Sequence, residues 1–70
     1  MTERLFNRLR AERERFGLTQ AELARRVGVS RKTVNTIENM VFTPSALLAM
    51  KIARDLDRSM EDLFWISDDC

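Results

Sequence analysis

Two helical stretches of this chain are separated by only Gly28 and Val29, and so short a joint leaves little freedom in how they pack. Thr19-Gln20-Ala21-Glu22 opens the first of them. The threonine oxygen suits the N3 amide, and the glutamate can reach back to the cap. From there Leu23, Ala24 and Val27 share one side, and Gly28 ends the run. Ser30 caps the second stretch, whose inner face is Val34 and Ile37. Helices joined this tightly meet at a steep angle, which is the helix-turn-helix unit, here over about residues 19–39. Each physical requirement of that unit has a residue to meet it. Small Ala24 lets the helices approach, Gly28 enters the left-handed region cheaply, and Val29 and Val34 fill the wedge. A compact helical hairpin with no reading role fits the same spacing.

The rest of the chain divides at its own punctuation. An opening stretch carries Leu5, Phe6, Leu9 and Phe16 among arginines and glutamates, and stops at Gly17. Arg8 with Glu12 and Arg10 with Glu14 stand four apart, so most of that face is expected to neutralise itself and meet solvent. Pro44 and Ser45 open a fourth stretch with Leu48, Ile52 and Leu56 at helical spacing. Ser59 to Asp62 caps a short fifth turn ending in Leu63-Phe64-Trp65-Ile66. Asp68, Asp69 and Cys70 read as an acidic tail, expected to fray. The expectation is an all-α fold, a compact bundle of about five short helices in a single domain over residues 1–70.

Composition removes whole classes of function. Seventy residues make one domain, which buries only about 60% of its unfolded surface. Apolar residues at 44% and charged residues at 33% argue against a disordered tail. The longest apolar runs, residues 46–50 and 63–66, fall far short of the roughly 20 residues of a membrane span. No signal peptide is visible behind Glu3 and Arg4, so a cytoplasmic location is expected. Without histidine, and with Cys70 as its lone cysteine, the chain offers no internal disulfide and no zinc site. No metal, cofactor or enzymatic activity is expected, because catalysis needs a positioned base or nucleophile.

The net charge of +1 conceals an asymmetry. Residues 1–40 hold nine Lys/Arg against five Asp/Glu, whereas residues 41–70 hold three against six. Such a split suits one face for a polyanion. Between Glu22 and Glu38 there is no acidic residue, while Arg25, Arg26, Ser30, Arg31, Lys32, Thr33, Asn35 and Thr36 all lie there. With Val34 and Ile37 facing inward, Arg31, Lys32, Asn35 and Thr36 project from the outer side of the third helix. Arginine and lysine donate to guanine, asparagine bridges adenine, and threonine meets a thymine methyl. An ordinary solvated helix face is the plain alternative.

Leu18-Thr-Gln-Ala-Glu-Leu-Ala24, Val27-Gly-Val-Ser-Arg-Lys-Thr-Val34 and Ile37-Glu-Asn39 resemble the Cro and phage-repressor type of helix-turn-helix, the XRE family of transcriptional regulators. Thr43-Pro-Ser45, Leu48 to Ala53 and Met60 to Phe64 extend the likeness, from about Phe6 to Phe64. The resemblance implies a bundle of about five helices that binds operator DNA. It makes Gln20 a phosphate contact, Ser30 a cap and phosphate contact, and Asn39 a further backbone contact. Arg31, Lys32, Thr33, Asn35 and Thr36 become the major-groove set, and Arg13 with Glu38 a partly buried salt bridge. Three positions depart from the pattern. Met40 stands where glycine or a small polar residue is usual, Val41 replaces a frequent cation, and Leu47 a residue commonly polar. These three either form an exposed apolar patch or thicken the core around Phe42.

The function so implied is a sequence-specific DNA-binding transcriptional regulator, expected to repress by binding a pseudo-palindromic operator as a homodimer. One reading helix makes few contacts, which gives two-fold symmetry a motive. The dimerisation region is expected at about residues 56–67, with Leu56, Met60, Leu63, Phe64, Trp65 and Ile66 as its candidates. Leu63 and Phe64 fit a simple core equally well. Short members of the family add a terminal strand, and Phe64 to Ser67 could pair with Arg4 to Phe6. The alternatives are an antitoxin-type protein-interaction module docking through Met40, Val41 and Leu47, or a restriction-modification controller.

Overall fold

Seven elements make up the computed structural model, which describes residues 2–69. They are β1 (Thr2–Asn7), α1 (Leu9–Arg15), α2 (Gln20–Val27), α3 (Arg31–Glu38), α4 (Ala46–Asp55), α5 (Met60–Leu63) and β2 (Phe64–Asp69). The helix starts are local chemistry. Thr19, Ser30, Ser45 and Ser59 each accept, on the side-chain oxygen, the N–H three residues ahead, and Thr19–Glu22 and Ser59–Asp62 close full capping boxes. Gly17 and Gly28 turn the chain at φ 72° and 80°, as the stops in the sequence anticipate.

The five helices bury one seam. Leu9, Leu23, Val34, Ile37, Ile52, Leu56 and Leu63 are fully buried, so every helix contributes to a single core. Phe16 is 42% exposed, with the Arg15 guanidinium 5.0 Å from its ring centroid. The Arg8–Glu12 pair does not form. Arg8 lies over Trp65 at 5.4 Å, and Glu12 accepts instead from Arg15 and Arg58 at 2.9 and 3.0 Å. Arg10 and Glu14 do pair, at 3.4 Å and in solvent.

Leu5 and Phe6 belong to a strand rather than to the first helix. β1 and β2 pair antiparallel, with Arg4 opposite Ser67, Leu5 opposite Ile66 and Phe6 opposite Trp65. Helix α1 cannot extend back through them. Asn7 Oδ1 accepts the Leu9 N–H at 3.1 Å, and the Arg8 N–H donates to the Leu63 carbonyl at 3.0 Å. Pairing continues through Asp68 and Asp69, opposite Glu3 and Thr2, so these two acids close a ladder instead of fraying. Cys70, the last residue of the expected tail, lies outside the described residues.

The strand pair also positions α3. Asn7 Nδ2 donates to the Ile37 carbonyl at 2.9 Å, and Arg4 Nη2 donates to the Met40 carbonyl at 3.1 Å. The Ile37 carbonyl, which also accepts the Met40 N–H at 3.0 Å, and the carbonyl of the turn residue Met40 are thereby tied to β1. Met40 itself turns at φ 60°, in the left-handed region that costs a non-glycine residue about 1–2 kcal/mol. Among the described residues no helix is long and apolar enough to cross a membrane.

Candidate nucleic-acid interface

Burial of Val34 and Ile37 sets the phase of α3. Arg31, Lys32, Asn35 and the C-cap Asn39 are consequently exposed, with Thr33 and Thr36 half-buried at the flank. Ser30 stands exposed at the head of the helix, its Oγ accepting the Thr33 N–H at 3.1 Å. Glu38 is the one acid of α3, and it is withdrawn from the surface. Arg13 Nε and Nη2 donate to its two oxygens at 2.7 and 3.2 Å, while Arg13 Nη1 donates to the Leu18 carbonyl at 2.7 Å. The hydrogen bonds to that carboxylate hold the Arg13 pKa above its ordinary value. The outer side of α3 thus presents cations and amides without a carboxylate.

A chain of amides sets the orientation of one reading candidate. Gln20, half-buried in the first turn of α2, donates from Nε2 to Glu38 Oε1 at 3.0 Å. Its Oε1 accepts from Asn35 Nδ2 at 3.5 Å, and Asn35 Oδ1 accepts from Asn39 Nδ2 at 3.3 Å. A primary amide has two donors and two lone pairs, so Asn35 keeps one of each for a base edge. Gln20, Asn35 and Asn39 are therefore one connected group, anchored on a buried ion pair.

The chain matches the helix-turn-helix family over residues 9–63. It is a helix-turn-helix regulator of the Cro and phage-repressor type. Among its relatives is YgzD of Bacillus subtilis (strain 168), described as an uncharacterized HTH-type transcriptional regulator. It is 43% identical over 63 residues, which cover 90% of this chain and 96% of YgzD. An HTH-type transcriptional regulator of Methanothermobacter thermautotrophicus, likewise described as uncharacterized, is 47% identical over 62 residues, or 87% of this chain and 90% of its own. Among solved structures, ClgR, the clp gene regulator of Corynebacterium glutamicum, superposes with a TM-score of 0.73 at 30% identity. That match covers 77% of this chain and 57% of ClgR.

Other charges and apolar residues of the regulator are sorted by the same geometry. Arg26 is engaged on another side, donating to both oxygens of Asp55 at 2.7 and 3.2 Å and so tying α2 to α4. Phe42 is not a core centre but 48% exposed. Together with Val41 it borders a depression of about 330 Å³ whose other walls are Ser30, Lys32, Thr33 and Thr36. Nothing local in the sequence signals that the loop carrying Phe42 folds back on α3, where its backbone N–H donates to the Thr36 carbonyl at 3.2 Å.

The proposed dimer surface shrinks. Leu56 and Leu63 are fully buried and serve the core, while Phe64 is 7% exposed and reaches the surface only at the edge of a depression beside Trp65 and Ile66. Met60 is half-buried, and Trp65 and Ile66 remain exposed. Of Met40, Val41 and Leu47, the last two are exposed. Met40 is half-buried, and the three border three separate depressions.

Proposed function

We propose that this regulator recognises a pseudo-palindromic DNA operator as a homodimer and represses transcription by occupying it. The observation that carries the reading is the outer face of α3, where Arg31, Lys32 and Asn35 are exposed and the helix's own carboxylate is buried against Arg13. Such a face suits a polyanion whose bases present acceptors in the major groove. Arg31, Lys32 and Asn35 read base edges, with Thr33 and Thr36 at the flank. Gln20, Ser30 and Asn39 fix the register on the sugar-phosphate backbone, which carries no sequence information by itself.

Dimerisation follows from the size of the module. One α3 offers too few base contacts for a useful specificity ratio, and two of them spaced one duplex turn apart double the count. The surface available for the join is Met60, Trp65 and Ile66, which with Leu5, Glu61 and Phe64 line a depression of about 340 Å³. An antitoxin-type module would dock a protein partner through Met40, Val41 and Leu47, of which Val41 and Leu47 are exposed. A restriction-modification controller would use the same DNA contacts and differ in its target.

Selection of bound duplexes from a random pool tests the proposal. The expected product is an inverted repeat with half-sites about one helical turn apart. Recovery of no enriched sequence, even at low ionic strength, would overturn it.

A further inference from the structure

We propose that Val41 and Phe42, together with Thr33 and Thr36, form an apolar receptor for thymine 5-methyl groups, making the loop after α3 a second specificity element. This rests on the DNA-binding reading above and names a chemical group that it does not. The loop is held in place rather than hanging free. The Val41 and Phe42 N–H groups both donate to the Thr36 carbonyl, at 2.9 and 3.2 Å, after the left-handed turn at Met40. That turn lays two apolar side chains against the flank of the reading helix. There Val41 is 76% exposed and Phe42 48%.

Val41 and Phe42 give the depression an apolar wall opposite Ser30, Thr33 and Thr36. Its hydroxyls make hydrogen bonds within the protein and keep part of their capacity for a ligand. Ser30 and Thr33 hydroxyls bond each other at 3.0 Å, and Thr36 Oγ1 donates to the Thr33 carbonyl at 2.9 Å. The larger part of what faces a ligand is apolar surface, with Lys32 as the single charged residue in the lining and no carboxylate. A lysine beside an apolar recess matches a duplex, which sets anionic phosphate next to the groove. In the major groove the thymine methyl is the apolar group that distinguishes one base from another. The recess is also continuous with α3, sharing Lys32, Thr33 and Thr36 with the reading set, so an occupied α3 brings base edges to it. A protein partner seated there would displace the DNA.

Uracil substitution isolates the methyl, since it removes that group and leaves every hydrogen-bonding atom of the base pair unchanged. The experiment takes the selected operator duplex and replaces its thymines by deoxyuridine one position at a time. Binding of the wild-type chain and of a Val41→Ala/Phe42→Ala variant is then measured. For the wild type, one or two positions are expected to lose about fourfold in affinity each, the effect of exposing one methylene-sized group. In the variant, the same positions are expected to become indifferent to the methyl. Both replaced side chains are substantially exposed, and a thermal melt of the variant checks that it is folded. Tight binding of the thymine duplex with no uracil sensitivity at any position overturns the inference and leaves the DNA reading intact. So does a variant that keeps the full uracil penalty. Failure to bind any selected duplex overturns both.

Discussion

Arg13 grips both carboxylate oxygens of Glu38, at 2.7 and 3.2 Å across 25 residues of sequence, with side-chain exposures of only 9% and 3%. A pair so far from water does not stabilise in proportion to its attraction, because both ions lose their hydration. Removing one partner is another matter. Arg13→Met would leave the buried Glu38 carboxylate without its cation, with Gln20 Nε2 still donating to it, and would free the Leu18 carbonyl, at a cost of about 3–5 kcal/mol. A domain of this size has on the order of 4–10 kcal/mol in total. Arg13→Met is therefore expected to be largely unfolded when warmed, whereas Arg13→Met with Glu38→Leu loses less than the two single changes summed. Urea titration of the four members of that cycle measures the coupling. Additive losses would show that the pair is energetically silent.

The capping box at the start of α2 makes a pH-dependent contribution whose sign follows from its geometry. Glu22 is held below its ordinary 4.5, first by the Thr19 amide it accepts at 2.8 Å and then by the Thr19 hydroxyl. Asp62 is lowered by the equivalent contacts to Ser59, and Glu12 by Arg15 and Arg58. A carboxylate lowered in the folded state stabilises at pH values above its unfolded pKa. That stabilisation disappears as pH falls through the folded value. The thermal midpoint should therefore be flat near neutrality and drop on acidification below the carboxylate range. Thr19→Val is expected to lose about 1 kcal/mol of cap at neutral pH, a fall of roughly 4–8 °C. The Glu22 pKa should move back toward its ordinary value, followed by NMR titration.

What the sequence revealed and what it concealed divide along the range of the interactions. Caps at Thr19, Ser30, Ser45 and Ser59 and stops at Gly17 and Gly28 act within three or four residues, so spacing alone exposed them. The outward set on α3 was legible because Val34 and Ile37 phase it. Leu5 and Phe6 were assigned to the first helix because a short apolar run reads alike in helix and strand. Only the resemblance offered the β1–β2 pairing, which joins the two ends of the chain. Leu56 and Leu63 are hydrophobic whether they face a core or a partner, and only packing tells which. Arg8 left Glu12 for Trp65, a choice between two satisfactory partners that the local spacing could not reveal.

Arg31 and Gln20 should fail differently. Arg31 is exposed on the outer side of α3, so Arg31→Ala is expected to relax preference at one base position by about 1–3 kcal/mol. Gln20→Ala should weaken binding to every sequence. Because Gln20 Oε1 accepts from Asn35 Nδ2, that variant should also loosen discrimination at the base facing Asn35. Competition binding with the operator, its single-base variants and random duplex separates these patterns. Equal losses on operator and random DNA for Arg31→Ala would deny it a base-reading role.

Leu56 and Ile66 offer the sharpest contrast on assembly, since one is fully buried and the other 68% exposed. Leu56→Ala opens a cavity in the core and should cost about 2–5 kcal/mol without a specific effect on association. Ile66→Glu, at an exposed position, should change the stability of the single chain by about 0.5 kcal/mol or less. It would nevertheless place a charge on the apolar ground shared by Leu5, Met60 and Trp65. Sedimentation equilibrium is then expected to show a dimer for the wild type and a monomer for Ile66→Glu. Operator binding by the variant should weaken to that of a single half-site. An Ile66→Glu chain that stays dimeric and binds the full operator as before would remove this face from the interface and send the search to Leu47 and Met50 on α4.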